Sequence, residues 1–252
     1  MTEPNLKLDV LAFSAHPDDI ELAAAGTLIK LGKQGYAVGI ADMTAGEFGT
    51  RGTREIRRKE AEEAARLIGV KVRECLDIPD GSVTVTRENH LKVIRLLRKY
   101  RPTIVFNHYW KARHADHMAT SQIVTEACYL SGLAKIDTGQ ERFRPSRILY
   151  HQILFDVVPS FVVDVTNEFE QKRKAVRAHK SQFHDPNSKD PETVLSAPTF
   201  LEGIETRMKY WGVQSGVAYA EPFLTTEVMI LPDLVATFEQ SKIPAGPQTE
   251  EK

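Results

Sequence analysis

Through the first half of the chain, short apolar runs alternate with amphipathic stretches, and no other feature limits the fold as much. Leu6–Phe13, Ala37–Met43, Lys71–Leu76 and Thr103–Asn107 have the length and composition of buried strands. Asp19–Lys33, Thr53–Ile68, Glu88–Tyr100 and Met118–Leu130 carry apolar residues at helical spacing, with Gly35 and Gly69 as stops and Pro102 in a break. Strand followed by helix, repeated, is the pattern of a parallel sheet covered on both faces. The expected class is therefore α/β: a Rossmann-like, doubly wound, mostly parallel sheet in the order 3-2-1-4-5, with helices on both faces. Additional C-terminal strands are expected at Arg147–His151 and Phe161–Val165, and helices at Asn167–Gln182, capped by Thr166 or Asn167, and Phe200–Gln214.

Two polar clusters sit at strand-to-helix junctions of this pattern. Ala15-His16-Pro17-Asp18-Asp19 follows the first strand, and His114-Ala115-Asp116-His117 follows the fourth. One carboxylate would cap the first helix, so Asp18 or Asp19 alone reads as an N-cap; two carboxylates and an imidazole have no such simple reason. In the order 3-2-1-4-5, strands one and four are neighbours at the point where the winding reverses, so both clusters face one crevice beyond the strand ends. Histidine with carboxylate suits zinc, whose catalytic sites take three protein ligands and leave one position for water. His16, Asp19 and His117 make such a set, one zinc per chain, with another divalent metal as the alternative.

A chain of 252 residues, 42% of them hydrophobic, buries one sizeable core, so residues 1–238 form a single domain. Residues 239–252 are polar with two prolines and are expected to be a disordered tail. A net charge of -1 gives no basic footprint for nucleic acid, and no polybasic amphipathic or long apolar segment points to a membrane. The expected partner is a small molecule. Cys75 and Cys128 are too few for a disulfide framework, and the amino terminus lacks a charged-then-apolar signal pattern, so a reduced, cytoplasmic setting is expected. The loop Thr44–Thr53 has three glycines but neither G-x-G-x-x-G nor G-K-[ST], which rejects a nucleotide site. Arg57 reads by default as a solvated helix face, Asp80-Gly81 as a turn, and Trp110 and Trp211 as core or wall residues. The segment His184–Pro191 is long enough to act as a lid or to touch another subunit.

A-H-P-D-D, H-x-D-H, the intervening G-T-R-G-T and the late K-S-Q-F-H-D-P-N-S-K together resemble the LmbE-like, or PIG-L, family of zinc N-deacetylases, over a span from about Leu8 to Met229. Within it the chain is most similar to the deacetylases of bacillithiol biosynthesis, which act on N-acetylglucosaminyl malate. The resemblance implies His16, Asp19 and His117 as metal ligands, Asp18 as general base and His114 beside the acetyl oxygen. It places a sugar-contacting arginine at Arg57 and an acidic sugar contact at Asp80, and it sets Phe200 where some members carry a tyrosine near the acetyl group. It further implies a homo-oligomer, with a hexamer as one form.

The chemistry also follows from the residue types. Zinc lowers the pKa of bound water to roughly 7, which provides the nucleophile for amide hydrolysis at neutral pH. Asp18, next to ligand Asp19, is placed to take the proton, useful through position more than through basicity. Zinc and a protonated His114 would face the developing oxyanion, and Asp116 would hold a histidine ring. Malate's two carboxylates call for arginine: Arg51 is the first choice and Glu47 of the same loop a further substrate contact, with Arg54, Arg113 and Lys111 next. Rival functions are a deacetylase of another N-acetylglucosamine conjugate such as a chitooligosaccharide, a two-metal phosphoesterase, for which the ligands are too few, and a non-catalytic zinc-stabilised sugar-binding protein, which has no need of Asp18.

Overall fold

The computed structural model describes residues 6–153 and 157–239, so the expected tail beyond Glu239 lies outside the described residues. Five parallel strands form the central sheet: β1 (Val10–Ser14), β2 (Val38–Asp42), β3 (Val72–Cys75), β4 (Ile104–His108) and β5 (Arg147–His151), in the order β3-β2-β1-β4-β5. All five residues of β1 are buried, and their alternation feeds two cores. Leu11 and Phe13 face one layer with Val93, Leu97, Ile123 and Val124; Val10 and Ala12 face the other with Ile20, Leu28 and Phe106. Burying each large apolar side chain in these layers contributes about 1.5–3 kcal/mol.

Helices cover both faces as the alternation requires. They are α1 (Asp19–Ala23), α2 (Ala25–Lys33), α3 (Arg54–Ile68), α4 (Arg87–Tyr100), α5 (Ala115–Leu130), α6 (Phe169–Ala178, after a 3-10 turn at Thr166–Glu168), α7 (Phe200–Ser215) and α8 (Leu234–Glu239). Strands β6 (Phe161–Asp164) and β7 (Ala220–Phe223) pair antiparallel in a small second sheet. The backbones of Tyr150 and Leu224 exchange two hydrogen bonds, which tie it to the edge of the main one. No helix of the described residues is long and apolar enough to cross a membrane.

Three boundaries differ from the sequence reading for identifiable reasons. The helix expected over Asp19–Lys33 breaks at Ala24, where φ is -140°. The amino end of α2 that this creates is buried and is capped from far away: Glu221 of β7 accepts from Gly26 N (2.9 Å), Thr27 N (2.7 Å) and Thr27 Oγ1 (2.6 Å). A carboxylate at a helix amino end is favoured by the helix dipole. Gly26 permits the approach, since a Cβ there would stand 2.9 Å from Glu221 Oε1. Lys172 completes the staple, donating to Glu221 (2.7 Å) and to Leu22 O (2.8 Å). The helix expected to reach Gln182 stops at Ala178, because Ser181 leaves it to donate from its backbone N and its Oγ to Glu60 of α3. The helix expected from Met118 begins at Ala115, so Asp116 and His117 belong to its first turn.

Beneath α1 lies a buried ionic cluster. Arg73 of β3 reaches Glu21 (2.5 Å) and Asp42 (2.7 Å), and His179 Nε2 stands 3.2 Å from Glu21. Burial alone would raise the Glu21 carboxyl, but Arg73 and then His179 outweigh it and hold the group far below the usual carboxylate range.

Candidate functional site

Because β1, β4 and β5 are parallel and adjacent, the segments leaving their carboxyl ends converge on one cleft. The first polar cluster leaves β1, the second opens α5 beyond β4, and His108 and His151 end β4 and β5 opposite each other in register. The cleft has a volume of about 480 Å³; His16, Asp18, Asp19, His114 and His117 all line it. Two roomier hollows, about 650 and 700 Å³, contain none of these residues.

Asp19 is the hub. Its Oδ1 lies 3.2 Å from His117 Nε2, while its Oδ2 lies 3.6 Å from His16 Nδ1 and accepts from His16 N (2.8 Å) and Ala15 N (3.1 Å). Burial works to raise its carboxyl, yet His117 and His108 outweigh burial and hold it well below the usual range, as an anionic ligand requires. One donor atom from each of His16, Asp19 and His117 lies within 4.8 Å of the other two. Bond lengths of about 2.0–2.2 Å around a tetrahedral zinc put its donors roughly 3.3 Å apart, so the three fit one ion with small adjustments. His16, His114 and Asp116 are equally close, but the Asp116 carboxylate is already engaged, accepting from Gly81 N at 2.8 Å and Val83 N at 3.4 Å.

The far side of His16 is fixed by two carboxylates. Its Nε2 lies 3.0 Å from Asp80 Oδ1 and 3.3 Å from Asp116 Oδ2, which leaves Nδ1 for the metal. Asp80 also accepts from Phe48 N at 2.9 Å. Burial would raise the Asp80 carboxyl, but His16 outweighs it and brings the group down to about 2. The carboxylate expected to touch sugar is thus spent on a histidine, and the turn reading of Asp80-Gly81 understates it.

Asp18 is no helix cap: its side chain makes no capping bond, and its φ of 125° lies where side chains are strained, a departure that costs on the order of 1–3 kcal/mol. The strain turns its carboxylate toward Arg57, whose Nη2 lies 3.0 Å from Asp18 Oδ2 and also donates to Pro17 O (2.5 Å). Burial, partly offset by Arg57, pushes the Asp18 carboxyl up to about 6. A carboxyl raised to about 6 exchanges a proton near neutrality, as the expected base must. Arg57 is buried, not solvated, yet it lines the cleft: its Nη groups meet Asp18, Pro17 O and Gly46 O, while its Nε has no hydrogen-bond partner among the described residues. The glycines of the Thr44–Thr53 loop make room for it: a Cβ at Gly46 would stand 2.6 Å from Arg57 Nη1.

Other expected contacts fall elsewhere. Arg51 is buried and does not line the cleft; its Nη1 donates weakly to Phe183 O (3.4 Å) and its Nε stands 3.9 Å from Asp190, so it braces the Phe183–Asp190 segment. Glu47 accepts from Asp80 N at 3.0 Å and likewise does not line the cleft. Arg54 pairs with Asp77 at the surface. His114 caps α5, accepting Asp116 N at its Nδ1 (3.1 Å). Burial, reinforced by His16 and His117, lowers its pKa below the ordinary value, so the expected protonated His114 gives way to a neutral ring with its proton on Nε2. Phe200 lines the cleft, whereas half-exposed Trp110 packs edge-on against Tyr150 and lines with it one of the other hollows.

Sequence reasoning passed over His108 and His151. The His108 ring lies 4.3 Å from that of His117 and its Nε2 accepts Ala15 N at 3.0 Å; burial lowers it to about 4. His151, fully buried, stands 4.6 Å from His108. The available signal was a histidine at the last position of each strand, beyond the switch point.

Comparison with known proteins finds relatives over most of the chain. Residues 11–128 match the family model described as PIG-L, GlcNAc-PI de-N-acetylase. Diacetylchitobiose deacetylase of Thermococcus kodakarensis is 31% identical over 224 residues, covering 84% of this chain and 80% of that protein. A probable N-acetyl-alpha-D-glucosaminyl L-malate deacetylase 2 of Bacillus anthracis is 27% identical, covering 69% and 81%. The conserved protein TT1542 of Thermus thermophilus superposes with a TM-score of 0.82 at 37% identity, over 89% of this chain and 98% of that one.

Proposed function

This chain belongs to the PIG-L family of de-N-acetylases, and from that premise we propose that it hydrolyses the acetamide of an N-acetylglucosamine saccharide, releasing acetate and the free amine. The observation that carries the catalytic reading is Asp18: an unligated, strained carboxylate beside the three metal-ligating residues, with its pKa near 6, serves proton transfer and has no use in a binding module.

His16, Asp19 and His117 would hold a zinc ion. When bound, the metal polarises the acetyl carbonyl and acidifies the attacking water. Asp18 takes the proton of that water on its carboxylate, and the Arg57 pair keeps it from straying into the ligand set. His114 Nε2–H, fixed by the cap at Nδ1, donates to the oxygen on which charge develops; losing one such donor raises a barrier by about 2.7–4 kcal/mol. Protonated Asp18, no stronger an acid than its environment makes it, returns the proton to the departing nitrogen.

For the substrate, a neutral saccharide is favoured because Arg51, the first choice for the malate carboxylates, does not line the cleft and braces the Phe183–Asp190 segment. A second reading, the malate conjugate of bacillithiol biosynthesis, is favoured by Lys111 and Arg113, which line the cleft from the loop after β4. Acetate release from N-acetylglucosamine, diacetylchitobiose and N-acetylglucosaminyl malate, measured with zinc and with chelator, tests both. Zinc-dependent release from diacetylchitobiose at the highest kcat/KM is expected; preference for the malate conjugate selects the second reading, and release from none overturns the function. We further propose a cytoplasmic homo-oligomer, a hexamer being one form, to be checked by light scattering.

A further inference from the structure

Gln152, the first residue beyond β5, is 8% exposed and lines the cleft. Its Oε1 accepts from Arg207 Nη2 of α7 at 3.0 Å, and the same guanidinium donates from Nη1 to Ile153 O at 2.5 Å. A guanidinium offers donors alone, so the oxygen of the carboxamide must be the atom that meets it. The orientation of the amide is thereby fixed, and Nε2 is turned away from Arg207. That nitrogen has two protons to give and no hydrogen-bond partner among the described residues. Buried donors are nearly always satisfied, so an unpaired one on a residue that lines a cleft calls for a ligand atom.

We propose that Gln152 Nε2 donates to a hydroxyl of the bound saccharide and makes Gln152 a specificity-determining residue, an assignment that rests on the saccharide reading given above. A carboxamide carries no net charge and suits an uncharged acceptor; the charged donors of the cleft stand elsewhere, Lys111 and Arg113 on the loop after β4 and Arg57 on α3. Position separates a hydroxyl from the acetyl oxygen. The metal-ligating residues leave β1 and open α5 beyond β4, and β5 is one strand further out, so Gln152 reaches what lies beside the scissile amide. A site built to hydrogen-bond a substrate hydroxyl discriminates strongly, because its buried polar group is left unpaired by anything else.

The test uses the full chain with diacetylchitobiose as probe. Gln152→Glu keeps the shape and the partner of Arg207 but removes both protons; Gln152→Met removes the polar group altogether and covers the case in which a new carboxylate disturbs folding. Two readouts are taken: kcat and KM for acetate release by the zinc-loaded protein, and the Kd of the disaccharide for metal-free protein by calorimetry. The expected result is a KM and a Kd at least tenfold higher in both variants, with kcat within threefold of the wild type. A fall in kcat at unchanged KM would place the donor on the reacting oxygen and overturn the assignment, as would variants equal to wild type. If the wild type releases no acetate yet binds the disaccharide, and the variants bind it tenfold more weakly, the deacetylase reading fails while the assignment of Gln152 stands. A wild type that neither binds nor turns over the disaccharide overturns the assignment.

Discussion

Arg57 Nη2 and Asp18 Oδ2 meet at 3.0 Å, each side chain 5% exposed, so the base of the cleft carries its own buried counter-ion. The pairing gives two neighbouring carboxylates different roles, since Asp19 is held anionic by histidines while Asp18 is held by burial and Arg57 at a pKa of about 6.

Asp18→Asn preserves shape and removes the base. Turnover of the zinc-loaded protein should fall about 100-fold or more, with bound zinc unchanged by metal analysis. The base works deprotonated and its pKa is raised to about 6, so wild-type kcat/KM should be lost as pH falls through that region. The acidic limb should be missing from the residual rate of the variant.

Arg57→Met should move that limb to higher pH. Among the influences on Asp18, burial raises the pKa and Arg57 is the largest one lowering it, so deleting the cation leaves burial unopposed. The pH dependence of kcat/KM reads the shift directly; a limb that stays in place would assign it to a group other than Asp18.

Asp80→Asn weakens the carboxylate that holds His16 Nε2 at 3.0 Å. Changes behind a metal-ligating histidine typically cost about 10–100-fold in affinity, and competition against a chelator should show a loss of that size. Full retention of affinity would mean that Asp116 alone orients the ring.

Arg51→Ala should lower stability by about 1–3 kcal/mol, since a buried guanidinium is lost and its acceptor Phe183 O is left unpaired. Its effect on kcat/KM should be proportionally equal for diacetylchitobiose and N-acetylglucosaminyl malate. Selective loss on the malate conjugate would return Arg51 to recognition.

Glu21→Gln tests the cluster beneath α1. The folded pKa of Glu21 lies far below the unfolded value of about 4.5, so its contribution is complete above 4.5 and drains away as pH falls toward the folded value. Urea denaturation should show the variant weaker by about 3 kcal/mol at pH 7, because Arg73 loses a buried partner, with the gap closing in acid.

The parallel order and the convergence of the two clusters were legible because both are local facts: alternation sets the sheet, and each cluster adjoins the strand that carries it. The burial of Arg57 and Arg51 was hidden for one shared reason. A charge on an amphipathic helix or loop looks solvated until the chain that folds over it is known; Gly46 and Pro17 cover one, and Phe183 and Asp190 the other. Asp80 was hard to assign because its partner His16 is far away in the sequence, and Gln152 was invisible because only the fixed orientation of its amide reveals the open donor.

The Glu221 staple also sets a schedule. Gly26 and Glu221 are 195 positions apart, so during synthesis the first polar cluster emerges early while the residue that caps the helix behind it emerges near the end. Until then the amino end of α2 has unsatisfied N–H groups inside an apolar layer, and closing so long a loop is slow. A nascent chain paused before β7 therefore carries the cleft residues while the helix behind the first cluster still lacks the carboxylate that caps it.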